Sequence, residues 1–84
     1  MEGIINYLFV LLEQDFEVDI IDVKQNIEEN YFNKGWLDSF SFISFISIIE
    51  DKYNIAFSND DFQDRNFATI KGLSEIIERK INFL

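Results

Sequence analysis

The chain contains neither cysteine nor histidine, and that double absence restricts what its 84 residues can become. Small domains bury a modest share of their unfolded surface, and many depend on disulfides or a structural metal. Disulfides and the usual Cys/His zinc sites are excluded here, so the fold must rest on a dense apolar core. The composition provides one: 48% of residues are hydrophobic and ten are Phe. The same absence limits function. Thiolate chemistry, His-dependent triads and His general bases are ruled out. Any hydrolysis or group transfer run by this chain alone would have to use carboxylates, Lys, Tyr or Ser, so an enzyme is not expected.

The formal net charge is −9, from 16 acidic and 7 basic residues. Such a field repels phosphate backbones and anionic membranes, so nucleic-acid binding is not expected, and it favours encounter with proteins that carry basic patches. It also keeps a Phe-rich domain soluble. The apolar stretch near the start, 8–12, is far shorter than a membrane span, and no basic region or small-residue cleavage site flanks it. These features predict a cytoplasmic monomer with no membrane span. Residues 1–84 read as a single domain without repeats or linkers.

Apolar periodicity defines the elements. Ile4, Ile5, Leu8, Leu11 and Leu12 recur at 3–4 spacing, predicting a first helix over 2–14. From 15 to 37 the rhythm loosens, which reads as a long connection with a short helical turn around 23–28. Gly35 and Gly72 read as local punctuation. The strongest helix is predicted over 38–53: Asp38 can cap its start, Lys52 suits the negative end of its dipole, and Asn54 can take the left-handed conformation that ends it. At 100° per residue, Phe42, Phe45, Ile46, Ile49 and Tyr53 fall within an arc of about 100°, the core stripe. Phe40 and Ile43 fall outside it, on the side of Ser44, Ser47 and Asp51. Ser58 and Asp61 have the spacing of a capping box for a short helix ending near Phe62 or Gln63, closed by Asp64, Arg65 and Asn66. Thr69 then caps a last helix whose apolar face is Ile70, Leu73, Ile76, Ile77 and Ile81. The predicted fold is all-α: a small bundle of three principal helices plus one short helix, with a long first loop.

The segment Gly35-Trp36-Leu37-Asp38-Ser39-Phe40 is the candidate site. With Asp38 as cap, Ser39 is the first helical residue, and the core stripe points its side chain away from the interior. A hydroxyl there sits beside backbone amides that lack intrahelical partners, at the positive end of the helix dipole. A phosphate ester on that oxygen is electrostatically favoured. The same place suits an unassisted nucleophile poorly, because no base in the chain is placed to activate it.

These residues resemble the acyl carrier protein family, including its peptidyl and D-alanyl carriers. The family's attachment site is Gly-x-x-Asp-Ser-Leu or a close variant, matched here by Gly-Trp-Leu-Asp-Ser-Phe. Its next motif, Glu-x-x-Phe/Tyr-x-Ile, is matched by Glu50-Asp51-Lys52-Tyr53-Asn54-Ile55. A short acidic helix follows, matched by Asn59-Asp60-Asp61-Phe62, and then Phe/Ile-x-Thr-Ile/Val, matched by Phe67-Ala68-Thr69-Ile70. Four motifs in this order and spacing are specific. The resemblance covers 27–81 well and the first helix loosely, and the long first connection is a standing feature of that fold. It implies that Ser39 accepts 4′-phosphopantetheine from coenzyme A through a separate phosphopantetheinyl transferase, and that Asp38 contacts the transferase-bound metal as well as capping the helix. The arm's thiol then carries an acyl or aminoacyl group as a thioester, put on by a loading enzyme and passed to downstream acyl-transferring enzymes. The chain would have no catalytic residues and no metal site of its own.

The chain also departs from the family. Phe40 stands where Leu or Met usually follows the serine, and Ser44 stands where many fatty-acid carriers have an acidic residue. The partner-binding face, Phe40, Ile43, Ser44 and Ser47, is thus less electrostatic, with Phe40 and Ile43 as its apolar anchors. This looks closer to stand-alone carriers of specialised biosynthetic pathways, loaded by adenylating enzymes with amino or other carboxylic acids, than to the main fatty-acid carrier. A Phe-rich core further predicts short or polar cargo. Trp36 is expected to anchor the loop onto the bundle, Asn59, Asp60, Asp61 and Asp64 to form a solvated helix start, and Lys71, Arg79 and Lys80 to be ordinary surface charges. Two competing readings are an unmodified acidic adaptor with the carrier fold and a carboxylate-pair hydrolase. The spread of the acidic residues over helix starts and solvent faces speaks against the hydrolase.

Overall fold

The computed structural model describes residues 2–82; the terminal residues of the expected domain, 1, 83 and 84, lie outside them. The elements are α1 (Glu2–Phe16), α2 (Ile20–Gln25), α3 (Ser39–Tyr53), α4 (Asn59–Gln63), a 3-10 turn (Arg65–Ala68) and α5 (Ile70–Asn82). Three long helices carry the apolar stripes read from the sequence. Leu8 and Leu12 of α1, Phe45 and Ile49 of α3, and Ile70, Leu73 and Ile77 of α5 are fully buried in one core. Burying each contributes about 1.5–3 kcal/mol as an upper estimate. No helix among the described residues is long and apolar enough to cross a membrane.

The short elements differ from expectation in instructive ways. The helical turn expected at 23–28 lies at Ile20–Gln25, because Asp19 caps it: its carboxylate accepts the Ile21 amide at 3.1 Å. Glu17, with φ 55°, makes the left-handed turn between α1 and α2. After α4, the chain does not simply turn. Asp64 accepts the Asn66 amide at 2.9 Å and starts the 3-10 turn, which buries Phe67. Gly72 is not punctuation at all; it lies inside α5, buried against the 3-10 turn.

The connection 26–37 is tied to the bundle along its length. The Lys71 amide donates to Ile27 O (3.0 Å) and the Tyr31 amide to Ala68 O (2.9 Å), forming an isolated antiparallel bridge between Asn30 and Thr69. The Tyr31 ring is fully buried and its hydroxyl donates to Phe67 O. Burial raises the pKa of that phenol far beyond its ordinary value, so it stays a neutral donor.

Lys80 is no ordinary surface charge. Its ammonium meets Asp61 Oδ2 at 2.6 Å and lies 5.8 Å from the Phe57 ring centre, joining α5 to the start of α4. Asp61 Oδ2 also accepts the Ser58 amide at 2.7 Å, completing the capping box with the Asp61 amide donating to Ser58 Oγ. Partial burial would raise the Asp61 carboxyl, but the Lys80 and Ser58 hydrogen bonds outweigh it and leave its pKa below the ordinary value. A depressed carboxyl contributes stability above its unfolded pKa and loses it as pH falls through the folded one. Asp61→Asn is therefore expected to lower unfolding stability by about 1 kcal/mol at neutral pH. That gap should narrow as pH falls through the depressed titration of the wild-type Asp61 carboxyl, as urea melts at neutral and strongly acidic pH will read. An equal gap at both would mean the ion pair contributes nothing.

Candidate functional site

The start of α3 is built by Asp38. Its backbone is extended (φ −100°, ψ −175°), and its Oδ1 accepts the Ser41 amide at 2.8 Å while its carbonyl accepts the Phe42 amide at 2.8 Å. Ser39 is the first residue of α3, as the cap predicts. The Asp38 carboxyl is fully exposed, and its pKa is lowered by the Ser41 amide first and the Ser41 hydroxyl next. It is thus anionic at neutral pH and committed to capping, a weak proton acceptor but a good neighbour for a cation.

Ser39 is exposed. The reason is not the one the helical wheel suggested. At 100° per residue its side chain lies only about 20° beyond Ile46, on the border of the core stripe and not opposite it. Ser39 reaches solvent because it occupies the first turn, where nothing of α3 precedes it. Phe40 and Ile43 are the expected outward residues, 87% and 64% exposed, with Ser44 and Ser47 exposed beside them. Phe40, one position after the serine, is the most exposed of the large apolar side chains among the described residues.

One turn along α3 from Ser39, Phe42 belongs to a cluster of aromatic rings. Phe42 lies 5.9 Å from Tyr31, 5.0 Å from Phe32 and 6.0 Å from Phe67, centre to centre, and Phe67 in turn meets Phe57 edge-on and Phe62 at a tilt. The notable open cleft, about 780 Å³ and lined by Asn54, Ile55, Asp60, Asp64, Ile76 and Arg79 among others, lies at the other end of α3. A 15-residue helix is about 22 Å long, so that cleft is remote from Ser39. Among the described residues no group of three or more carboxylates is placed to hold a metal ion.

Comparison with known proteins gives the constellation its setting. A family described as "Phosphopantetheine attachment site" matches residues 6–77, from within α1 to within α5. The chain belongs to that family. It is a carrier protein, and its cofactor is covalently attached 4′-phosphopantetheine. It is also 37% identical over 70 residues to D-alanyl carrier proteins of Bacillus cereus and Bacillus anthracis, an alignment covering 79% of this chain and 86% of each relative. No solved structure matches it. The chain fits a phosphodiester-linked group: Ser39 at the head of α3 is exposed, and it sits at the start of a 15-residue helix.

Sequence reading missed one contributor to this site. Asp22 of α2, 14 residues before Trp36, accepts the Trp36 indole N–H at 2.9 Å. Trp36 does anchor the loop, as expected, but nothing in the local pattern around Asp22 announces its partner.

Proposed function

We propose that Ser39 carries the 4′-phosphopantetheine arm and that the chain presents an amino acid or other small carboxylic acid to partner enzymes. One observation supports this above all: an exposed serine hydroxyl on the first turn of the core helix, directly after a capping aspartate, in a chain of the phosphopantetheine family. In the attachment step the Ser39 Oγ forms a bond to the phosphorus that bears the pantetheine of coenzyme A. The bond to adenosine 3′,5′-bisphosphate breaks, and the serine proton passes to a base of the transferase. Asp38, anionic and exposed, would contact the metal held with coenzyme A on that transferase. When bound, the arm supplies a thiol for thioester formation; the chain itself contributes placement, and chemistry is left to its partners.

The likeness to D-alanyl carriers and the ring-filled interior both support small cargo, loaded by an adenylating enzyme in a specialised pathway. The chain works as a cytoplasmic monomer comprising one domain, residues 1–84. Family membership favours this modified carrier over an unmodified adaptor. The test is an intact mass after incubation with coenzyme A and a broad-specificity transferase, followed by peptide mapping. One phosphopantetheinyl adduct on Ser39 is expected; no adduct, or an adduct elsewhere, defeats the reading.

Partner enzymes dock on Phe40 and Ile43, with Ser44 and Ser47 at the rim. Phe40→Ser removes the most exposed apolar anchor and no core contact. It should raise the KM of the transferase for this carrier about ten-fold, with kcat and thermal stability near wild type. An unchanged KM would move the docking face elsewhere.

A further inference from the structure

We infer that Asp22 and Trp36 are positioning residues for the modification of Ser39, holding the head of α3 where a transferase can use it; the inference rests on Ser39 being the attachment residue. The chain reaches Ser39 through a turn that turns sharply at Gly35, with φ 75°. Just beyond, two side chains are sunk into the bundle: Trp36 and Leu37 are 9% and 3% exposed. Leu37 is held by apolar packing, which is not directional. Trp36 carries a directional restraint as well, since its indole N–H donates to Asp22 Oδ2.

Asp22 is itself fixed from both sides. Its Oδ1 and its backbone carbonyl both accept from the Asn26 side-chain amide, at 3.0 and 2.8 Å, which ties the carboxylate to the end of α2. Lys34 approaches Oδ1 at 3.7 Å and lies 5.9 Å from the Trp36 ring centre, so the near side of the loop bears on the same pair. The ion pair is part-exposed and weak by itself. Its geometry matters more than its strength: the residues two and four before Asp38 are referred to one carboxylate on a separate helix.

This restraint acts where helix ends are least determined. First turns fray, and a cap defines a start only relative to the residues before it. Without the anchor, Asp38 can still cap, but the segment leading into it is free to shift against the bundle and take the Ser39 hydroxyl along. Transfer to that oxygen demands alignment with a phosphorus on another protein, and misplacement of about 1 Å can cost up to roughly 100-fold in rate. The loss should fall on kcat, because the docking face at Phe40 and Ile43 is untouched.

The experiment is transferase kinetics with coenzyme A on wild type, Trp36→Phe, Asp22→Ala and Asp22→Asn. Trp36→Phe keeps an aromatic ring and deletes the donor; Asp22→Ala deletes the acceptor at a part-exposed position; Asp22→Asn keeps an oxygen for the indole while removing the charge. We expect kcat to fall about ten-fold in the first two with KM within about two-fold of wild type, and substantial recovery in Asp22→Asn. Amide exchange at Ser41 and Phe42, whose N–H groups are held by Asp38, should quicken in the same two variants. Should Trp36→Phe fold poorly, the Asp22 pair decides alone. Unchanged kcat in the folded variants, a loss confined to KM, or no recovery in Asp22→Asn overturns the inference. Failure of wild type to accept the arm would instead overturn the assignment of Ser39.

Discussion

Gly72→Ala is expected to cost about 2–4 kcal/mol of unfolding stability, a large part of what an 84-residue domain possesses. In an exposed helix the same change would stabilise by about 1 kcal/mol, since alanine is the better helix former. Here the sign reverses. A Cβ at position 72 would fall inside van der Waals contact of the Asn66 carbonyl oxygen and 2.6 Å from the Asn66 carbonyl carbon. Those atoms belong to the backbone of the 3-10 turn, so no side-chain rotation relieves the overlap. The turn must move off α5, and it is bound to other things: the Thr69 amide and hydroxyl both donate to the Asn66 carbonyl, and the Tyr31 amide and hydroxyl hold Ala68 and Phe67. Displacement would therefore loosen the connection 26–37 along with it. Urea denaturation reads the loss directly. Gly3→Ala in α1, where no atom lies within 4 Å of an added Cβ, is the control and should be neutral or slightly stabilising. A Gly72→Ala protein as stable as wild type would mean that α5 and the 3-10 turn do not pack this closely.

The contrast between these glycines shows what the sequence could and could not disclose. Helix α3 was legible at both ends because every signal is local: a stripe from Phe42 to Tyr53, a cap at Asp38, and Asn54 in the left-handed conformation with φ 54°. The Ser58–Asp61 box was legible for the same reason. Three features were not. Gly72 looked like a break because its cause, Asn66, approaches only after the chain has folded back. The second helix was misplaced by three residues, since Ile20, Ile21, Val23 and Ile27 permit more than one helical register and Asp19 decides between them. Lys80 passed for a surface charge because Asp61 is 19 positions away. At the candidate site, the cap, the serine and the outward Phe40 and Ile43 were readable, whereas the Asp22–Trp36 anchor was not: a hydrogen bond between distant polar groups leaves no periodic trace.

Ser39→Ala should abolish phosphopantetheine uptake while leaving the melting curve within about 0.5 kcal/mol of wild type, because the hydroxyl is exposed and its loss leaves no buried group unpaired. The other serines of α3 make the result stringent. Ser41, Ser44 and Ser47 lie on the same helix, two of them exposed, yet none follows a capping aspartate at a helix start. If the property that matters is the hydroxyl's place at the positive end of α3, none of them substitutes, and the variant stays at its unmodified mass. Asp38 then separates two roles that coincide in wild type. Asn caps helices about as well as Asp, so Asp38→Asn should retain the Ser41 amide hydrogen bond and the start of α3, whereas Asp38→Ala should lose that bond and fray the first turn. A carboxylate that does no more than cap would leave Asp38→Asn modified at the wild-type rate. A carboxylate that also meets the transferase's cation would not: removing its charge should slow modification roughly 10- to 100-fold in a protein of undiminished stability. We expect the second result, since this carboxyl is fully exposed and remains ionised on the residue next to the proposed attachment serine.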